Sequence, residues 1–221
     1  MLRLKNYINR ENQRVWQPRE IDVAKFPKAV AYLQKVTAKY SDVLTGIPIY
    51  ISNYPDMKAT ATEIYIGQFW IDELEKENVK MQQLVEWTIL HEAYHVNHRH
   101  LEKYMSIYFG AYALIFAGAL YTLAFHSTEI FAGLSLQVKF LVSFATMYFA
   151  LQVPHVLKIA YSRFIMEPQA DNFANKMCRC KDAFSVAKVF IANSPQDLLH
   201  PSHKSRLAKM DKVLQIRDFI E

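Results

Sequence analysis

Hydrophobic and polar positions divide this chain into a patterned front, an almost continuously apolar middle and a patterned tail. Between Tyr104 and Phe125, 22 residues pass without one charged side chain. As a helix at about 1.5 Å per residue this run measures roughly 33 Å, enough to cross a hydrocarbon core of about 30 Å. A second charge-free run, Phe140 to Leu157, extends back toward Ile130 if Lys139 carries its amine to the interface. The spans are therefore expected over about 104–125 and 135–157. Gly110 and Gly118, with Ala111, Ala117 and Ala119, supply small residues for close helix contact. The alternative is a buried helical hairpin in a soluble core, but soluble helices of this length ordinarily carry a charged face.

Ahead of these runs, Pro27 to Tyr40 has helical periodicity with Val30, Leu33, Val36 and Tyr40 on the inward face. Ile47 to Ser52 and Glu63 to Gly67 are apolar and β-branched, with Asn53, Pro55 and Asp56 between them, which predicts two strands of a small sheet. From Gln68 to Phe109 there is neither Gly nor Pro, and Asn78 suits a helix N-cap. Ala183 to Asn193 and Ser202 to Ile220 predict two further helices. The expected fold is mainly α (α+β): residues 1–103 form the first part of one domain, 104–157 a transmembrane hairpin, and 158–221 the returning part. No repeats or low-complexity tracts are present.

At 221 residues and 52% hydrophobic content, with 14 Phe and 13 Tyr, the chain is rich in apolar side chains for one soluble domain. Its net charge of +5 is dispersed, with no Lys/Arg block of five or more, so no nucleic-acid partner is expected. The first 20 residues are polar and charged, and no signal peptide is expected there. Cys178 and Cys180 are separated by one residue on an expected helix; their side chains would point apart, which disfavours a disulfide.

The chemistry concentrates in His91-Glu92-Ala93-Tyr94-His95, an HExxH pattern. One helical turn separates the two histidines, so both imidazoles can share one Zn²⁺. Glu92 is too near them to ligate the same ion and is suited to take a proton from water that the metal activates. An amphipathic helix carrying two surface histidines is the bland alternative. Catalytic zinc takes three protein ligands. The HExxHxxGxxH solution fails, because its Gly position is His98 and its last His position is Leu101. His98 shares the stripe, but ligands spread along about 10 Å of straight helix cannot converge on one ion. The other solution takes a Glu from a later helix, and Glu167-Pro168-Gln169-Ala170-Asp171 offers ExxxD. Pro168 suits the first turn of a new helix beginning at Glu167, and Asp171, one turn on, can orient a ligand imidazole.

HEAYH, the intervening hairpin, EPQAD, and then His200-Pro201-Ser202 with Arg206 resemble the membrane-integrated zinc metallopeptidases of the HtpX and CaaX-prenyl-protease type. The likeness runs from about Ile47 to the C-terminus and rests on three motifs in order. It implies one zinc per chain held by His91, His95 and Glu167, with Glu92 as general base. It also implies His200 and Arg206 near the substrate carbonyl, stabilising the oxyanion. In zincins of this kind an edge strand beside the zinc pairs with extended substrate backbone; Glu63-Ile64-Tyr65-Ile66 is the candidate by position, an ordinary hairpin the alternative. Two features depart from the family pattern. No candidate span precedes Tyr104, and Ser162-Arg163 lies one residue further from Glu167 than an SRxxE spacing requires.

Arg99, Lys103, Lys158 and Arg163 flank the spans on the side of the HExxH motif, whereas the connecting loop offers Glu129 and Lys139. The positive-inside rule then makes that side cytoplasmic, so the expected protein is an integral membrane peptidase facing polypeptide substrates at a cytoplasmic bilayer surface. A membrane di-iron oxygenase is the rival chemistry, with His91xxxHis95, His98xHis100 and His200xxHis203 as histidine boxes. It needs about eight histidines on one side, and His126 falls across the membrane in this topology. A ferritin-like bundle needs two ExxH motifs, and only Glu92xxHis95 exists. A membrane-anchored pseudoprotease is disfavoured by the intact HExxH and Glu167.

Overall fold

In the computed structural model, which describes residues 5–9, 16–20, 25–52, 57–125, 132–178, 181–193 and 200–218, the amphipathic stretch is helix α1 (Pro27–Lys39). It buries Ala29, Val30, Leu33 and Val36, and Tyr40 follows them inside. Two N-terminal strands that the polar sequence did not suggest, β1 (Lys5–Asn9) and β2 (Trp16–Glu20), pair antiparallel. A short helix, α2 (Ser41–Leu44), leads to β3 (Ile49–Ser52), β4 (Lys58–Ala59) and β5 (Ile64–Gly67).

The sheet order is β3-β5-β4, with β3 and β5 parallel and β4 antiparallel to β5. The expected pair of strands is present, but a parallel pair is not a hairpin. More consequentially, β5 is the central strand and wholly buried, so Ile64 and Tyr65 are paired on both sides and Ile66 pairs with β3. The expectation that Glu63 to Ile66 offers a free edge is therefore corrected: the outer strands are β3 and the two-residue β4, the latter hidden from pattern reading by its length. Asn53, Pro55 and Asp56 lie outside the described residues.

The Gly- and Pro-free run forms three helices, α3 (Gln68–Glu75), α4 (Val79–Asn97) and α5 (His100–Phe125). Asn78 caps α4 as its side chain accepts from the Met81 N–H, satisfying one of the unpaired donors of the first turn. α4 is buried on most of its circumference and packs against the sheet, α3 and the later helices, with Leu84, Trp87, Ile89, Leu90 and Ala93 inside. Its buried Glu86 is neutralised by Lys39 Nζ at 2.7 Å and by the Tyr40 hydroxyl. α4 stops at Asn97, and Arg99 takes a left-handed φ of 50° before α5 begins.

α5 packs along α6 (Leu136–Tyr161) as an antiparallel-connected pair. Both are long and apolar enough to cross a membrane, and their surfaces are exposed: Leu114 is 76%, Phe116 67% and Phe149 70% accessible. His126 and Glu129 lie outside the described residues.

α6 does not end in a loop before Pro168. The chain stays helical through a wide π turn, Ser162–Met166, into α7 (Glu167–Met177), where the Glu167 N–H bonds Ser162 O five residues back. Such a turn accommodates one extra residue. Pro168, lacking an N–H, follows directly, so the preceding turn loses one donor where the helix widens. α8 (Lys181–Asn193) and α9 (His203–Asp218) complete the fold, contributing Ala187, Ile191 and Met210 to the core. Cys178 is buried at the end of α7, its Sγ 3.8 Å from Glu86 Oε1; Cys180 lies outside the described residues.

Candidate metal centre

Adjacent turns of α4 project His91 and His95 toward the start of α7, where the π turn delivers Glu167. Their Nε2 atoms lie 3.1 Å apart. Glu167 Oε2 is 3.3 Å from His91 Nε2, and Glu167 Oε1 is 3.5 Å from His95 Nε2. Ligand atoms of the three residues all fall within 4.8 Å of one another, close enough to hold one metal ion. Glu167 Oε2 is buried and accepts no hydrogen bond among the described residues. A buried carboxylate oxygen without a donor is costly, and a cation at the focus of these atoms removes that cost. Two imidazoles and a carboxylate suit a first-row divalent ion.

Electrostatics point the same way. Burial opposes charge on His91, but Asp171 and Glu167 on either side prevail and raise its pKa to about 10. Burial, reinforced by His91, pushes His95 down to about 3. Burial favours protonation of Glu167 and Asp171, yet His91 overcomes it in both, with Arg206 assisting at Asp171, so both carboxyls titrate below their usual range. The two buried carboxylates thus supply negative charge that a divalent ion at this point would neutralise.

Glu92 stands apart from the ligand cluster. Its Oε2 accepts a 2.6 Å hydrogen bond from the backbone N–H of Ala59 in β4. Burial pushes its carboxyl up to about 7, opposed by His91. A cavity of about 360 Å³ opens onto these groups, lined by Met57, Lys58, Ala59 and Thr60 on one side and by His91, Glu92, His95 and Glu167 on the other. His200 lines it too, with Nε2 3.4 Å from Glu167 Oε2.

Asp171 Oδ1 lies 3.1 Å from His91 Nδ1, behind the ligand ring. Arg206 is placed differently from the expectation. Its Nε and Nη2 donate to Asp171 Oδ2 and Oδ1 at 2.8 and 2.7 Å, and it does not line the cavity. The guanidinium fork is thus engaged with a buried carboxylate, away from the cavity into which the expected oxyanion role would place it. Sequence reasoning missed Ala59 and His100. Ala59 acts through its backbone, and no side-chain pattern reports it. His100 Nδ1 lies 2.9 Å from His95 Nδ1, brought back by the break after α4.

An HExxH helix whose third ligand, a carboxylate, arrives from a later helix is the architecture of a zincin-type metallopeptidase. The sequence model of peptidase family M48 matches residues 77–214, from just before α4 into α9, and the chain belongs to that family. No curated protein and no solved structure matches it.

Proposed function

We propose that this protein is a membrane-embedded zinc metalloendopeptidase of the HtpX-like type, with its peptidase domain divided by the inserted hairpin of residues 104–157. The observation that carries the reading is the convergence of His91, His95 and Glu167 around a buried carboxylate oxygen that lacks a donor. Bound there, Zn²⁺ would polarise the scissile carbonyl and make water a nucleophile at neutral pH.

The chain's own residues do the rest. Glu92, half-buried and aimed by Ala59, takes a proton from the attacking water and returns it to the leaving amine. Burial raises the pKa of its carboxyl, which favours holding the proton between the two transfers. His200, on the cavity wall, donates to the oxygen that gains charge in the tetrahedral intermediate. Arg206 holds Asp171, and Asp171 holds His91. Extended substrate backbone lies along Lys58 and Ala59, the outer strand that also forms one wall of the cavity.

The hairpin reading rests on the exposed apolar faces of α5 and α6, far larger than a soluble surface tolerates. Arg99, Lys103, Lys158 and Arg163 at its site-proximal end favour a cytoplasmic active site. The substrates are polypeptides, of membrane or misfolded proteins on this reading. The test is casein or self-cleavage by the purified chain, with metal content measured beside it. Zinc at one per chain with cleavage that stops in Glu92→Gln supports the proposal; iron at two per chain, or cleavage unaffected by that substitution, sinks it.

A further inference from the structure

Resting on the metal-centre reading above, we infer that His100 is a positioning residue that holds the ligand His95 in its metal-binding tautomer. His95 turns Nε2 toward Glu167 and His91, at 3.5 and 3.1 Å. A nitrogen offered to a metal carries no proton, so the proton of the neutral ring sits on Nδ1. That Nδ1 is 2.9 Å from His100 Nδ1, which must then be the acceptor, leaving the His100 proton on its own Nε2. The reverse arrangement, with His100 donating, would put the His95 proton on the nitrogen that faces the metal.

Two further observations separate this contact from chance packing. His100 is 2% exposed, enclosed against Tyr94 with ring centroids 5.3 Å apart, and burial of a polar imidazole is unfavourable unless its nitrogen is used. The chain also breaks its helical course to bring it there. Arg99 takes φ 50°, a conformation that a non-glycine residue adopts at an energetic cost, and the very next residue is His100. A straight continuation of α4 would instead carry residue 100 past the site. The two ligand imidazoles thus have different neighbours at Nδ1: Asp171 Oδ1 lies 3.1 Å from that of His91, and a second imidazole 2.9 Å from that of His95. A neutral partner fixes the tautomer without adding a third negative charge to a pocket that already contains Glu167 and Asp171.

The test compares His100→Asn with His100→Leu in the full chain, purified in detergent micelles. Asn keeps an acceptor near the position of Nδ1, whereas Leu fills similar volume without one. Zn²⁺ affinity is measured by competition with a chelating dye, and the visible spectrum of the Co²⁺-loaded chain reports the ligand field. His100→Leu should bind Zn²⁺ about 10–100-fold more weakly and shift the Co²⁺ bands, while His100→Asn stays within about threefold of wild type. A purely structural role reverses the order, because a buried apolar enclosure accepts Leu better than Asn. Should His100→Leu not fold, His100→Phe supplies a second acceptor-free side chain and is read in the same way. Acceptor-free variants that match wild type, or an Asn variant weaker than they are, overturn the inference while leaving the metal centre standing. A wild-type chain that binds no Zn²⁺ overturns both.

Discussion

The carboxylate of Glu92 is held by the backbone of Ala59, whose N–H donates to Oε2 at 2.6 Å from an outer strand of the sheet. That bond joins the candidate base to the strand on which substrate backbone is proposed to lie. It uses the Ala59 N–H that points away from β5, which leaves the outward carbonyl of that residue for substrate backbone.

Replacing Ala59 with Pro removes this N–H without removing a bond of the β4–β5 ladder. An outward N–H on an edge strand is a position where Pro is tolerated. The Ala59→Pro chain should fold with an unchanged far-ultraviolet spectrum and lose about tenfold in kcat, the value of one charge-assisted hydrogen bond. Ala59→Ser, which keeps the N–H, should retain wild-type kcat.

Glu92→Gln separates acid–base chemistry from metal binding. Glu92 is not among the three clustered ligand residues, so zinc content by elemental analysis should be unchanged. Hydrolysis should fall by roughly 10²–10⁴, the usual worth of general acid–base catalysis.

Metal removal should have both a catalytic and a stability signature. Cleavage should cease after dialysis against a chelator and return with added Zn²⁺. Thermal unfolding should shift upward on reloading, since a ligand at a hundred times its Kd stabilises by about 2.7 kcal/mol. Glu167→Ala should lose both responses; a Glu167→Ala chain with full zinc and activity would move the third ligand elsewhere.

Arg206→Ala tests whether this side chain serves the substrate or Asp171. Both partners of the pair are about one-tenth exposed, so breaking it should cost about 3–5 kcal/mol in denaturant unfolding and weaken metal binding. A group acting on the oxyanion would lower kcat and leave both of those measurements alone.

Membrane orientation can be read from a cysteine introduced at Ser127, between the two apolar helices. A membrane-impermeant maleimide should label it from outside intact cells and not from the cytoplasmic face. Labelling from the cytoplasmic side alone would overturn the two-span topology.

Local and periodic features were legible in the sequence by itself. His91 and His95 share a helix face because i and i+4 always do, and Asn78 caps that helix through its own third residue. The two apolar helices follow from charge-free runs whose length needs no knowledge of neighbours. Glu167 could be matched to the histidines because the apolar hairpin returns the chain to its starting side. What the tertiary structure decided depends on non-local pairing or on backbone conformation. Ile64 to Ile66 became the centre of the sheet because a strand of two residues, too short to show alternation, pairs outside it. Arg206 turned to Asp171, 35 residues away, and such a contact leaves no mark on local pattern. The left-handed residue Arg99 breaks the course of α4, and the π turn before Glu167 shifts the helical register by a fraction of a turn. Periodicity assumes a uniform helix, so it could not foresee that these two departures would bring His100 and Glu167 onto the same pair of imidazoles.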